Sequence, residues 1–427
     1  MSPSDAPRPD PRPGLGPSLL PADQGPAELQ IRQFLALRTQ TRPQDWYLVL
    51  RARLGMEAIF RRFAGRPILT QAFTCVTAIN PILAAGAHPV YGDISPENYS
   101  LAPESLHAAC TGTAQTNATQ PQNLAAVVLQ HTFGIIDPQQ SAEILALSHQ
   151  RGMAVVEDCA HCAGRMFRGE DQARADFAVH SFGAEKMLPT AFGGAIWVNP
   201  DSPFHEVWGL RVRRELAQAA PASGRVALAA NTYRFQNRVF NHLPGALSGV
   251  LRRAGLRLGT FLPPIIAGES QGRQATPVLG LTSGVARQVE ASLQSLSRLE
   301  TQSQTASALY FRELSGLEGV RTVPQWAATQ PLVRFPLQIG EGLDGGELTE
   351  AVFARLNQRR LWPGRWYRPA LFPGVEDPQL YGLPVDMAAA LPQTHRLIGS
   401  ALQLRTLVYG SRGEETATAL REIMASL

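Results

Sequence analysis

The sequence predicts an α/β chain in which a mostly parallel central sheet is flanked by helices and followed by a smaller C-terminal α+β domain. Three observations predict it. Short apolar runs alternate with helical patterns from about Arg51 to Asn199, as in a chain of βαβ units. Most of these runs are apolar throughout, as parallel strands covered on both faces must be. With 427 residues and 44% hydrophobic content, there is enough chain for two domains and a sizeable core. Ahead of the pattern, Met1 to Pro21 carries seven prolines and no continuous apolar stretch, so residues 1–28 are expected to form a disordered leader and not a secretory signal.

The large domain is placed at 29–235. Its strands are expected at Pro67–Leu69, Pro89–Tyr91, Ala125–Leu129, Ala154–Val156, Phe177–Ser181 and Ala195–Val198. Between the third and fourth of these, Gln139–Arg151 repeats apolar residues at Ile144, Leu145 and Leu147 and is followed by Gly152, the pattern of a closed crossover helix. Residues 236–280, crowded with Gly and Pro, read as an irregular insert around one basic apolar segment, Leu243–Leu258. A long amphipathic helix is expected over Thr282–Leu314, then a strand at Val333–Ile339 and a helix at Glu347–Gln358, all within a small domain spanning 281–427.

Charge and cysteine usage narrow the function. Thirty-nine Lys plus Arg against 35 Asp plus Glu leave a formal charge of +4 without a basic run, which argues against a nucleic-acid arm. Small anionic molecules are the better match. No stretch reaches membrane-span length, so the expected location is the cytoplasm. Four cysteines are too few for a disulfide framework in a chain this long, and reduced thiols are expected. Cys159 and Cys162 form a CxxC, but no second ligand pair accompanies it; packing explains the pair better than a metal or a redox couple, and no metal is expected.

Two segments carry chemistry. In Ala154–Ala163, AVVEDCAHCA, a buried strand ends on Asp158, and ligands of open α/β sheets bind beyond the carboxyl ends of strands. A carboxylate there could hold a pyridinium nitrogen protonated, or could merely cap the next helix. In Asp176–Val198, DFAVHSFGAEKMLPTAFGGAIWV, Lys186 lies in a loop beside Met187 and Leu188. Desolvation would lower its amine pKa and free it to form an imine; the plainer alternative is a surface lysine. Ser181, at a strand end five residues earlier, could hold a phosphate, and Gly193-Gly194 lets backbone approach closely.

These segments resemble the DegT/StrS-type aminotransferases, which aminate keto-sugars attached to nucleotides. Asp158 and Ala160 match the family's D-x-A-Q-like motif, and Ser181, Phe182 and Lys186 match its serine-phenylalanine pair and Schiff-base lysine. Thr74–Ile82 with Val90–Ile94 resembles the stretch that supplies a ring-stacking residue, here Cys75 with Phe73 nearby. Asn231-Thr232-Tyr233-Arg234 resembles the N-Y-R motif. The resemblance implies a pyridoxal-phosphate (PLP) transferase fold with Lys186 bonded to PLP, Asp158 on its ring nitrogen and His161, in place of glutamine, on its phenolic oxygen. It also implies Ser181, Asn231 of a neighbouring subunit and a phosphate turn at Gly55-Met56-Glu57, hence a homodimer with shared active sites. Imidazole at position 161 would add a group titrating near neutral pH. His131 in HTFG, Tyr233, and Trp366 and Tyr367 in RLWPGRWYRP are substrate-facing candidates; each would otherwise be an ordinary packed side chain. The activity implied is transfer of an amino group from an amino acid, glutamate, to a keto-sugar. A sugar dehydratase would have histidine in place of Lys186, and a non-catalytic regulatory or assembly protein on this fold is the competing class.

Overall fold

The computed structural model describes residues 19–21, 25–112, 117, 122–263, 268, 271–272, 277–340 and 345–427. Most of the expected leader lies outside the described residues, but helix α1 begins inside its range, at Pro26–Thr39. Proline at its first turn suits a helix start, where an amide would have no partner. α1 buries Ile31 and Leu35.

Seven strands form the main sheet: β1 (Trp46–Val49), β2 (Pro67–Gln71), β3 (His88–Gly92), β4 (Ala126–Gln130), β5 (Ala154–Asp158), β6 (Phe177–Ser181) and β7 (Gly194–Val198). Their order is β1-β7-β6-β5-β4-β2-β3. The five from β6 to β3 are parallel; β7 runs antiparallel to β6, and the edge strand β1 is antiparallel to β7. β4, β5 and β7 are buried along their whole length, which explains the apolar runs that open β4 and β5 and fill β7. Helices α2 (Ala52–Phe60), α3 (Val76–Ala84), α4 (Pro103–Thr111), α5 (Pro138–Gln150) and α6 (Leu210–Ala217) cover the sheet. α5 is the expected crossover helix: Asp137 accepts the Gln140 amide at 3.1 Å, Pro138 opens it, and Gly152 takes a positive φ of 71° just beyond its end.

Strand β1 has no counterpart among the strands read from sequence. Its pairing partner, β7, lies about 150 residues further on, so no local turn or alternation announces it. The edge it forms is held by a buried ion pair. Arg213 of α6 donates to Asp45 Oδ1 at 2.8 Å and to the Val198 carbonyl at 2.7 Å, with both charged side chains at most 1% exposed.

The segment 236–280, expected to be irregular, is largely helical where it is described. α7 (Gly224–His242) starts on a Ser223 cap and α8 (Gly245–Leu258) ends on Gly259 in the left-handed region. The glycines and prolines that suggested irregularity delimit two helices. The single helix expected over Thr282–Leu314 is two, α9 (Ser283–Leu293) and α10 (Leu296–Leu314). Leu293, Leu296 and Leu299 keep helical spacing through the break, so apolar periodicity could not reveal it; Ser295 turns its hydroxyl onto the Ser292 carbonyl at 2.8 Å.

The small domain holds a three-stranded antiparallel sheet ordered β10-β9-β8, from β8 (Val320–Thr322), β9 (Arg334–Ile339) and β10 (Ala401–Arg405). Helices α11 (Gln325–Ala328), α12 (Gly345–Gln358), α13 (Met387–Ala390), α14 (Pro392–Ser400) and α15 (Arg412–Ala425) complete it. Several sets of contacts tie it to the large domain, these two among them. Asp93, just past β3, accepts the Gln393 and Thr394 amides and the Thr394 hydroxyl at the start of α14, at 2.7–2.8 Å. Backbone bonds join Leu371 to Ala72 and Phe372 to Thr74 and Val76.

His180 lies wholly buried in β6, its Nδ1 accepting the Gly164 amide at 3.2 Å while Nε2 has no partner. Burial pushes its pKa down to about 3. The native state therefore refuses a proton that the unfolded chain accepts near pH 6.5, so stability is highest above that pH and declines as pH falls from there toward 3. Between pH 7 and pH 5 the loss from this residue is expected to be about 2 kcal/mol. Urea midpoints measured at both pH values for the wild type and His180→Asn should show that part of the decline missing from the variant; an unchanged decline would mean that His180 titrates normally.

Candidate active site

β4, β5 and β6 end at one side of a cavity of about 440 Å³, the crevice position expected for a parallel sheet and a volume suited to a small ligand. The start of α2, Arg51 to Arg53, closes one end, the start of α3 contributes Thr74, Cys75 and Thr77, and the small domain supplies Trp366, Tyr367 and Phe372. The bonds joining Leu371 and Phe372 to residues 72–76 hold that last wall in place.

Asp158, the last residue of β5, is buried on the floor, and the Ala160 amide donates to its Oδ1 at 2.9 Å. Burial raises its pKa, while that amide, Lys186 and His131 pull it back. Lys186 faces the same cavity from the loop after β6. Burial lowers its amine pKa against the opposing pull of Cys75, Asp158 and Glu185. Its Nζ lies 5.9 Å from the centre of the Trp366 ring.

His161 is sandwiched among rings, parallel to Trp366 within 6° at 5.4 Å and to Tyr367 within 8° at 6.5 Å. Its Nδ1 accepts the Phe133 amide at 3.0 Å, which assigns the proton of the neutral ring to Nε2, 3.4 Å from the Tyr367 hydroxyl. Burial, with Lys186 and Arg334 nearby, drives its pKa well below 6.5. The expectation that it titrates near neutral pH is therefore corrected: the imidazole stays neutral and serves as a fixed donor.

Of the other expected residues, Met56, Cys75, Ala160, Ser181, His131 and Tyr233 line the cavity. His131 is also bonded through Nε2 to Glu157 at 2.8 Å, deep in the core, and its backbone amide donates to the Asp158 carbonyl. Cys159 joins that pair within 4.8 Å, but one Glu157 oxygen already receives both His131 and the Phe167 amide. Gly55 and Glu57, expected at a phosphate turn, do not line the cavity. Gly55 backs onto Ile196 inside α2, and Glu57 is turned to Arg61. The turn that does face the cavity begins at Arg51, so the amides at the helix start, one turn earlier, take that place. Asn231 also lies off the cavity lining, with Thr282 donating to its side chain at 2.7 Å. Phe73 packs behind the wall on Tyr99 and Tyr367, leaving Cys75 alone at the ring-stacking position. Sequence reasoning missed Thr74, Gln130 and Phe372; only their fold neighbours reveal them.

Residues 47–213 match the DegT/DnrJ/EryC1/StrS aminotransferase family. A putative pyridoxal phosphate-dependent aminotransferase of Bacillus subtilis, EpsN, is 31% identical over 139 residues, which span 32% of this chain and 34% of EpsN. The aligned part is thus about a third of that relative's length. Among solved structures, a putative sugar aminotransferase from Streptococcus pneumoniae in its PMP form superposes with a TM-score of 0.66 at 16% identity, covering 95% of this chain and 93% of that one. PseC of Helicobacter pylori, an aminotransferase involved in pseudoaminic acid biosynthesis, gives 0.65 at 14% identity over 95% and 92%. At such identities the likeness establishes the fold, and this family's cofactor is pyridoxal phosphate. The donor set fits that cofactor: an amine for its aldehyde, a buried carboxylate for its ring nitrogen, and a hydroxyl and helix-start amides for its phosphate. The match to the DegT/DnrJ/EryC1/StrS aminotransferase family, over residues 47–213, takes in both Asp158 and Lys186.

Proposed function

We propose that this chain is a PLP-dependent aminotransferase that moves an amino group from an amino acid, glutamate, to a nucleotide-linked keto-sugar. The observation that carries the reading is that Lys186 and Asp158 face one cavity at the carboxyl ends of the parallel strands. When bound, pyridoxal phosphate supplies an aldehyde that bonds to amines and a ring that accepts the electron pair left when a proton leaves the substrate carbon. Lys186, whose amine pKa burial lowers, holds the resting site, then takes that proton on Nζ and returns it. Asp158 keeps a proton on the ring nitrogen. His161 donates from Nε2 without changing charge, Ser181 and the amides opening α2 hold the phosphate, and the Trp366–Tyr367 wall excludes water.

The test is direct. Incubation with pyridoxal phosphate should give the visible band of a lysine-bound cofactor, borohydride should fix it to Lys186 as mapped by mass spectrometry, and glutamate should bleach the band. A panel of nucleotide keto-sugars should then restore it. Colour without bleaching would favour the non-catalytic regulatory or assembly protein, a reading encouraged by Cys75 at the ring-stacking position; no fixed label at Lys186 would end both.

We also place the chain in the cytoplasm as a homodimer. Among the described residues, no helix is long and apolar enough to cross a membrane. The α7–α8 hairpin leaves Phe235 70%, Val250 53% and Leu258 63% exposed, and α8 buries no residue at all. Large apolar side chains exposed together on one hairpin favour an interface there, and Asn231, the residue expected to reach a neighbouring cofactor, sits on the same hairpin. Light scattering should find a dimer for the wild type and a monomer for Phe235→Glu/Val250→Glu. A dimer mass in both would remove the hairpin from the interface.

A further inference from the structure

Arg334 opens β9 at the rim of the small domain, where its register partner on β10 is Arg405. Two guanidinium-bearing residues placed directly opposite across an antiparallel ladder repel each other, an arrangement that costs stability unless an anion joins them. Among the described residues, no hydrogen bond or ion pair reaches either guanidinium, whereas nearby small-domain arginines are engaged: Arg365 and Arg368 share Glu350, and Arg359 pairs with Glu422. Arg334 is half-buried, and burial together with Arg405 weakens its hold on its proton, with Glu185 opposing. A cation so placed gains most from a ligand oxyanion.

The position of Arg334 points to the substrate site. Its Cζ lies 5.4 Å from the centre of the Trp366 ring, and Lys186 Nζ lies 5.9 Å from that same centre. Trp366 lines the cavity and is held parallel to His161, so the ring beneath Arg334 is fixed in orientation. Stacking on an indole fixes a guanidinium plane and leaves its edge free for bidentate contact with a carboxylate or phosphate.

We propose that Arg334, with Arg405 beside it, is the anion receptor of this substrate site, holding an oxyanion of the substrate while its reacting carbon lies near Lys186. The proposal rests on the aminotransferase reading. The oxyanion is either a carboxylate of the amino donor or a phosphate of the nucleotide-linked acceptor, and the two are separable by experiment.

Calorimetric titration of the protein without added cofactor uses glutarate as the carboxylate probe and inorganic pyrophosphate as the phosphate probe. Wild type is expected to bind at least one. Binding of glutarate alone assigns the receptor to the donor, of pyrophosphate alone to the acceptor, and of both to a shared seat. R334Q should weaken that binding by about 10- to 100-fold, with R405Q having a smaller effect. R334K, which keeps the charge but not the fork, should recover part of it. Unchanged binding in R334Q, or no binding of either probe by wild type, overturns the proposal. Borohydride labelling of wild type and R334Q with pyridoxal phosphate runs in parallel and should be equal. Failure of the wild type to label would defeat the aminotransferase reading, whereas the titrations would still decide whether Arg334 binds anions.

Discussion

Lys186→Ala is expected to lose turnover by roughly 10⁴-fold, because one amine serves both as the covalent anchor and as the proton carrier. Under the proposed function, no other described side chain lining the cavity can replace it: the remaining basic side chains there, Arg51 and Arg53, carry guanidinium groups and not amines. The variant should still take up pyridoxal phosphate reversibly through the phosphate contacts, but borohydride should leave no label on the chain. Single-turnover measurements with glutamate would read the chemical step apart from cofactor loss. Retention of more than about a tenth of the wild-type rate would be incompatible with a role in moving the proton. Folding should survive, since Lys186 forms none of the buried pairs that hold the sheet together.

The second large effect is on stability. Arg213→Met removes a fully buried guanidinium that serves Asp45, the Val198 carbonyl and the Tyr47 hydroxyl at once. Breaking a buried pair by taking one partner leaves the other carboxylate poorly compensated, at a cost of about 3–5 kcal/mol. Arg42, 3.0 Å from the other Asp45 oxygen, places the expected value at the lower end. Replacing both partners by apolar residues, Arg213→Met with Asp45→Leu, should recover much of the loss, since the desolvated charge is then gone as well. Urea unfolding of the two single variants and the double variant provides the cycle. A double variant less stable than the sum of the singles would mean that the pair does not act as a unit.

How far the site could be read from sequence follows from which signals are local. The places of Asp158 and Lys186 were legible because one ends a short apolar strand and the other follows such a strand by five residues, and position beyond a strand's carboxyl end is written in a few consecutive residues. The central strands were legible for the same reason. β1 was not, since an edge strand paired with β7 carries its evidence in a distant segment. Gly55 illustrates a different limit. A glycine near a helix start suggests a phosphate turn, yet here the missing side chain makes room for Ile196 across the helix–sheet interface, and only packing distinguishes these uses. His161 was identifiable as a site residue, but its charge was not, because the pKa depends on burial among rings contributed by residues 133, 366 and 367. Arg334 left no motif at all; what distinguishes it is that no described carboxylate pairs with its guanidinium, which a sequence cannot display.

The three bonds from Asp93 to the start of α14 act as a rivet driven through both lobes, next to a seam where residues 371–372 are stitched to residues 72–76. Held at these and further places, the smaller lobe is not hung on one hinge. Loosening the rivet should make the gap between the lobes widen before either lobe melts.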